Sequence, residues 1–208
     1  NAPATLARSN GYEAMIYDSE RGTAYEYVDG LIVRRSPTKR ISQSGNTAGK
    51  HPLWMAADAK RAVASGKPVY LIEGEKDAGT LRALGYAAVT ASGGGGNFAA
   101  KLDLDSACLA LSGADVVAIM DKDDTGTRWK EQVAQTLTPF VRSLTFIQAA
   151  GEAHDASDAA MSGLEFEILP SESSQPESEL KTELTPRAYS LTRLADVKPE
   201  RPLWLQIG

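Results

Sequence analysis

The chain has 208 residues, 42% of them hydrophobic, and a formal net charge of −5, the values of a globular protein long enough to bury one or two cores. No run approaches the roughly 20 apolar residues of a membrane span, no charged-then-apolar leader is seen, and no membrane partner is expected. The negative balance argues against a uniformly basic nucleic-acid coat. The single cysteine, Cys108, excludes an intramolecular disulfide and a zinc site built on several thiolates, which suits a reducing, cytoplasmic setting. Because the chain begins on Asn1 rather than Met, it is expected to be a piece of a longer polypeptide.

Taken in order, residues 12–34 alternate loosely through Met15, Tyr17, Tyr25, Tyr27, Leu31 and Val33, with turn signals at 20–22 and at Asp29-Gly30. They read as a small meander of hairpins. Residues 36–49 are rich in Ser, Thr, Lys, Asn and Gly without apolar period, so a surface loop is expected. Residues 53–64 return to helical spacing through Leu53, Ala56, Ala57 and Val63, stopped by Gly66 and Pro68. Charge is segregated: residues 34–67 carry eight basic side chains against one acidic, whereas the chain from 68 onward carries 12 basic and 21 acidic. The first stretch suits phosphates and the second suits cations.

From Val69 the rhythm becomes short apolar runs, 69–72, 87–90, 116–120 and 144–147, separated by helical segments at 77–84 and 127–137. Ala78, Leu81 and Leu84 fall on one helical face, as do Trp129, Val133 and Leu137. Runs of this kind suit strands covered on both faces, which predicts an α/β domain with a mostly parallel sheet flanked by helices. Four segments follow: a small basic α+β N-terminal subdomain over 1–66, the α/β domain over 67–169, an acidic Pro/Ser-rich linker over 170–190 and a tail over 191–208.

Chemistry in such a sheet collects at the carboxyl ends of its strands. Glu73 follows the first run directly, Asp121 and Asp123 follow the third, and Asp155 and Asp158 follow the fourth after a short loop. Residues two apart in an extended segment share a side, so Asp121 and Asp123 can face one site while Lys122 points away. Taken singly, each cluster also reads as a helix cap or a solvated turn. Their recurrence at successive strand ends favours one shared site. Crowded carboxylates repel by about 1 kcal/mol per pair even in water at 4 Å, and a cation relieves this. All-oxygen donors suit Mg²⁺ or Mn²⁺, hence phosphoryl or nucleotidyl transfer or phosphodiester hydrolysis.

Three elements together, LIEGEKDA with Glu73, Gly74 and Asp77, VVAIMDKDDTG with Asp121, Asp123 and Gly126, and HDASDAA with Asp155, resemble the TOPRIM domain of DnaG-type and phage primases, topoisomerases, and some nucleases and recombination proteins. The likeness covers about residues 67–165 and is nearest to primases and primase-helicases of phages and mobile elements. It implies a Rossmann-like TOPRIM fold, Glu73 as the catalytic glutamate acting as base or metal ligand, Asp121 and Asp123 as catalytic metal ligands, and Asp155 as a further metal-binding acid. His154 departs from the pattern, which usually has Lys there. The glycine run at 93–96 has a counterpart in the likeness, and the backbone at Gly94 and Gly95 is then a candidate phosphate contact, although four glycines also make a plain flexible loop. Arg34, Arg35, Lys39, Arg40 and Lys50 would contact a single-stranded DNA template or the triphosphate of incoming ribonucleoside triphosphates. The tail resembles the lead-in to a helicase domain, but no phosphate-binding Gly-x-x-x-x-Gly-Lys-Ser/Thr loop is present. The implied activity is that of a DNA primase. The same acids serve a metal-dependent nuclease, and a silent DNA-binding or assembly module with capping carboxylates is the third reading.

Overall fold

The computed structural model describes residues 13–161, 163, 165–169 and 191–193. The expected linker lies outside the described residues, as does most of the tail.

The N-terminal part is an antiparallel meander, β1 (Ala14–Asp18), β2 (Gly22–Glu26), β3 (Leu31–Arg35) and β4 (Ile41–Gly45), paired in chain order. Its turns are closed by side chains: Asp18 accepts the amides of Glu20 and Arg21, both at 2.8 Å, and Asp29 accepts that of Leu31 at 3.1 Å. Alternation buries Tyr25, Leu31 and Val33 on one face. The expectation of a loop over 36–49 fails at β4, which pairs with β3 from Arg35↔Ile41 to Leu31↔Gly45. All five of its residues are exposed. An edge strand covered on neither face has no reason to alternate, so no hydrophobic period marked it.

The second sheet has the order β10-β9-β8-β7-β5-β6, with β5 (Val69–Ile72), β6 (Ala88–Val89), β7 (Asp115–Met120), β8 (Ser143–Ala149), β9 (Glu165–Ile168) and β10 (Leu191–Arg193). Strands β6, β5, β7 and β8 are mutually parallel, and β9 and β10 extend the sheet by antiparallel pairing. This is the mostly parallel, helix-flanked sheet expected from the sequence. Helices α1 (Ala56–Ala64), α2 (Glu75–Ala83), α3 (Phe98–Lys101), α4 (Leu104–Leu111), α5 (Asp124–Leu137) and α6 (Ala156–Met161) surround it. α1 packs on α4 and the β5–β6 edge, although it precedes the sheet in sequence. In α5, Trp129, Val133 and Leu137 are buried as their spacing predicts, and Trp129 meets Phe98 edge to face at 6.0 Å. Leu84 departs from its expected face: α2 stops at Ala83 and the chain turns through Gly85, leaving Leu84 half exposed.

One continuous buried cluster runs from Tyr25 and Tyr27 through Trp54 to the central strands and Phe166. Where the meander meets α2, the Tyr27 hydroxyl donates to Glu75 at 2.7 Å, both groups being buried. Burial, chiefly, holds the Glu75 carboxyl above its ordinary range. Removing the donor strands a buried acid, so Tyr27→Phe is expected to lower unfolding stability by about 1–3 kcal/mol in urea titration; an unchanged midpoint would show that this contact does not join the two sheets.

Candidate active site

Strands β5 and β7 are neighbours, with Ile72 opposite Ile119. Parallel pairing carries both chains out of the sheet at the same end, so Glu73 and Asp121 emerge side by side. The Asp121 amide points at the Glu73 carboxylate over 3.5 Å, a long contact that satisfies little. Two glycines allow the close approach. A Cβ at Gly95 would lie 1.8 Å from Glu73 Oε1, so the backbone of the glycine loop rests against that carboxylate. A Cβ at Gly126 would lie 2.2 Å from the Asp121 carbonyl oxygen, so only glycine lets α5 start this near β7.

The electrostatics are those of uncompensated acid. The Asp121 carboxyl is pushed up to about 7, first by burial and then by the charges of Glu73, Asp77, Asp155 and Asp123. Burial also raises Glu73, with Asp123 and Asp77 adding to it. Among the described residues no ion pair involves Glu73, Asp121 or Asp123. Asp123 is turned toward the N-terminus of α5, where it accepts the Gly126 amide at 2.7 Å, which is the capping role its spacing also allowed.

Asp155 lies at the start of α6. Its Oδ1 accepts the Asp158 amide at 2.7 Å, and its Oδ2 is 2.9 Å from the Lys76 ammonium. That ammonium also reaches Asp77 Oδ1 at 3.2 Å, and the Ser157 hydroxyl donates to the same Asp77 oxygen. Although burial works against it, the Lys76 partner and the capping amide hold Asp155 below its ordinary value. Lys76, Asp77 and Ser157 were not singled out as site residues. Two of them stand inside the Glu-Gly-Glu-Lys-Asp-Ala run, but their convergence with Asp155 depends on α6 packing against α2. Lys122 does point away: its ammonium donates to the Gly151 carbonyl at 2.6 Å and its amide to His154 at 3.2 Å, fixing the loop that delivers Asp155.

Among the described residues no three acidic, His or Cys side chains are gathered as a ready metal cage, because Asp123 is engaged by a backbone amide and Asp155 by Lys76. The donor set nevertheless fits a hard cation: Glu73 and Asp121 offer oxygens only and have no ion-pair partner among the described residues, and Asp123 stands two residues past Asp121.

The basic candidates are spread out. Alternation sends Arg34 and Arg35 to opposite faces of β3; Arg34 senses Asp18, and Arg35 senses Tyr25 and Glu75 on the buried side. Lys39 sits in the β3–β4 turn with a left-handed backbone, φ 63°, and Arg40 and Lys50 are exposed. Gly94 is exposed, while Gly95 is buried against Glu73. The raised Asp121 carboxyl sets the sign of a pH effect. A folded value above the unfolded one gives stability that is present below about pH 4 and lost as pH rises through about 7. With chelator present, Asp121→Asn is therefore expected to flatten the decline in melting temperature between about pH 5 and pH 8 by a few degrees; parallel wild-type and variant curves would contradict the crowding.

No family model matches the chain, and none of the curated proteins does. Solved structures do match. The DnaG primase catalytic domain bound to single-stranded DNA has a TM-score of 0.51 at 18% identity, over 71% of this chain and 53% of that one. The DnaG catalytic core gives 0.50 at 18%, over 73% and 49%. The Escherichia coli primase catalytic core gives 0.50 at 17%, over 76% and 53%. This chain spans about half the length of each. At such identity the likeness is one of architecture, and the protein has the fold of the DnaG primase catalytic core.

Proposed function

We propose that the chain is the catalytic module of a primase, joining ribonucleotides on a single-stranded DNA template in a Mg²⁺- or Mn²⁺-dependent nucleotidyl transfer. The observation that carries this reading is the unbalanced pair Glu73 and Asp121 at the ends of adjacent parallel strands, in a fold shared with primase cores. Glu73, Asp121 and Asp123 would hold the cation, with Asp123 exchanging its capping bond for it. When bound, the ion neutralises charge on the triphosphate oxygens and favours the ionised form of an attacking hydroxyl.

The chain's own groups have distinct tasks. Glu73 accepts the proton of the 3′-hydroxyl as the hydroxyl oxygen bonds to the α-phosphorus and pyrophosphate departs. The glycine loop fixes Glu73 through Gly95 and presents exposed backbone at Gly94 for a phosphate. Arg35, on the α2-facing side of the meander, Arg34, Lys39 and Arg40 on its outer face and turn, and Lys50 after its last strand would steer template and triphosphate by charge. A helicase partner is suggested only by the tail's likeness to a lead-in segment, which lies outside the described residues apart from Leu191–Arg193.

The test is incubation with single-stranded DNA, labelled ribonucleotides and Mg²⁺ or Mn²⁺. Short oligonucleotides should form, and Asp121→Asn or Glu73→Gln should reduce their yield about 100-fold or more. Strand cleavage without synthesis would instead establish the nuclease reading, and chelator-insensitive DNA binding with neither product would establish the silent module, whose present support is the capping by Asp123.

A further inference from the structure

The acidic end of the sheet is divided into two halves. In one, Asp77 and Asp155 are paired with a cation: the Lys76 ammonium bridges them at 3.2 and 2.9 Å, Ser157 donates to Asp77, and the Asp158 amide donates to Asp155. In the other, Glu73 and Asp123 accept backbone amides, from Asp121 and Gly126, and none of Glu73, Asp121 and Asp123 pairs with an ammonium or guanidinium among the described residues. The halves are contiguous, because the charges of Asp77 and Asp155 both act on Asp121.

The bridge is built into the fold. Lys76 is on the first turn of α2, three residues past Glu73, so the turn that positions the glutamate also positions the ammonium. α2 and α6 pack together, with Thr80 and Ser157 hydroxyls 3.0 Å apart, which brings residue 155 within reach of residue 76. An ammonium placed between two carboxylates supplies positive charge at the spot where a second divalent ion would otherwise be drawn.

We propose that Lys76 takes the place of a second metal ion, so that the site holds one divalent cation, on Glu73, Asp121 and Asp123, and Asp155 is withheld from it as the partner of Lys76. This rests on the reading that the acidic site binds a cation at all. Asp155, which the sequence resemblance places among the metal ligands, is on this account a positioning residue that holds α6 and Lys76 in place.

The readout is the number of Mn²⁺ ions bound per chain, counted by electron paramagnetic resonance of free Mn²⁺ and by calorimetry, with no nucleotide present. Wild type should bind about one ion and Lys76→Gln about two. Lys76→Arg, which keeps the cation, should return the count to about one, as should Lys76→Gln combined with Asp155→Asn. Lys76 is 37% exposed, so its replacement opens no internal cavity, and melting curves of each variant verify folding before counting. Two ions in wild type, or one in folded Lys76→Gln, would overturn the proposal while leaving the metal site standing. No ion in wild type would overturn the metal reading and the proposal with it.

Discussion

Parallel pairing of β5 with β7 forces two acidic side chains out of the sheet at the same edge, and the rest of the site is arranged around their repulsion. The backbones of Glu73 and Asp121 are fixed by the register Ile72↔Ile119, which is secured by the buried residues Val69–Ile72 of β5 and 116–120 of β7. Gly95 lets the glycine loop rest against the Glu73 carboxylate, and Gly126 lets α5 start against the Asp121 backbone. Packing in the core thus holds these carboxyls together, and burial first, with the neighbouring carboxylates adding to it, pushes Asp121 up to about 7.

Around this pair the fold supplies charge of the opposite sign in two forms. Close by, Lys76 balances Asp77 and Asp155 through a pairing made possible by α2 and α6 lying against each other. Farther off, the meander carries a basic strand and turn on a scaffold joined to α2 by the Tyr27–Glu75 hydrogen bond.

Much of the α/β part was legible because hydrophobic strands end abruptly on the residues that matter. The runs at 69–72 and 116–120 become β5 and β7 almost residue for residue, and Glu73 and Asp121 follow at once. The short antiparallel additions β9 and β10, and the helices α3, α4 and α6, carried weaker signals, being brief. β4 was hidden by its exposure on both faces, and the true end of α2 by a leucine that continued the helical spacing past the last helical turn. Within the site, recurrence at strand ends and the family resemblance grouped Asp155 with Asp121 and Asp123. Neither singled out Lys76, whose pairing with Asp155 spans 79 residues of chain and is decided by helix packing.

The most direct measurement is a crystal structure grown in Mn²⁺ with anomalous diffraction recorded at the manganese edge. Anomalous density bonded to carboxylate oxygens of Glu73, Asp121 and Asp123, with the Asp123 side chain released from the Gly126 amide, is the predicted result. Those three side chains left as they are here, with no anomalous density between them at saturating Mn²⁺, would contradict the account.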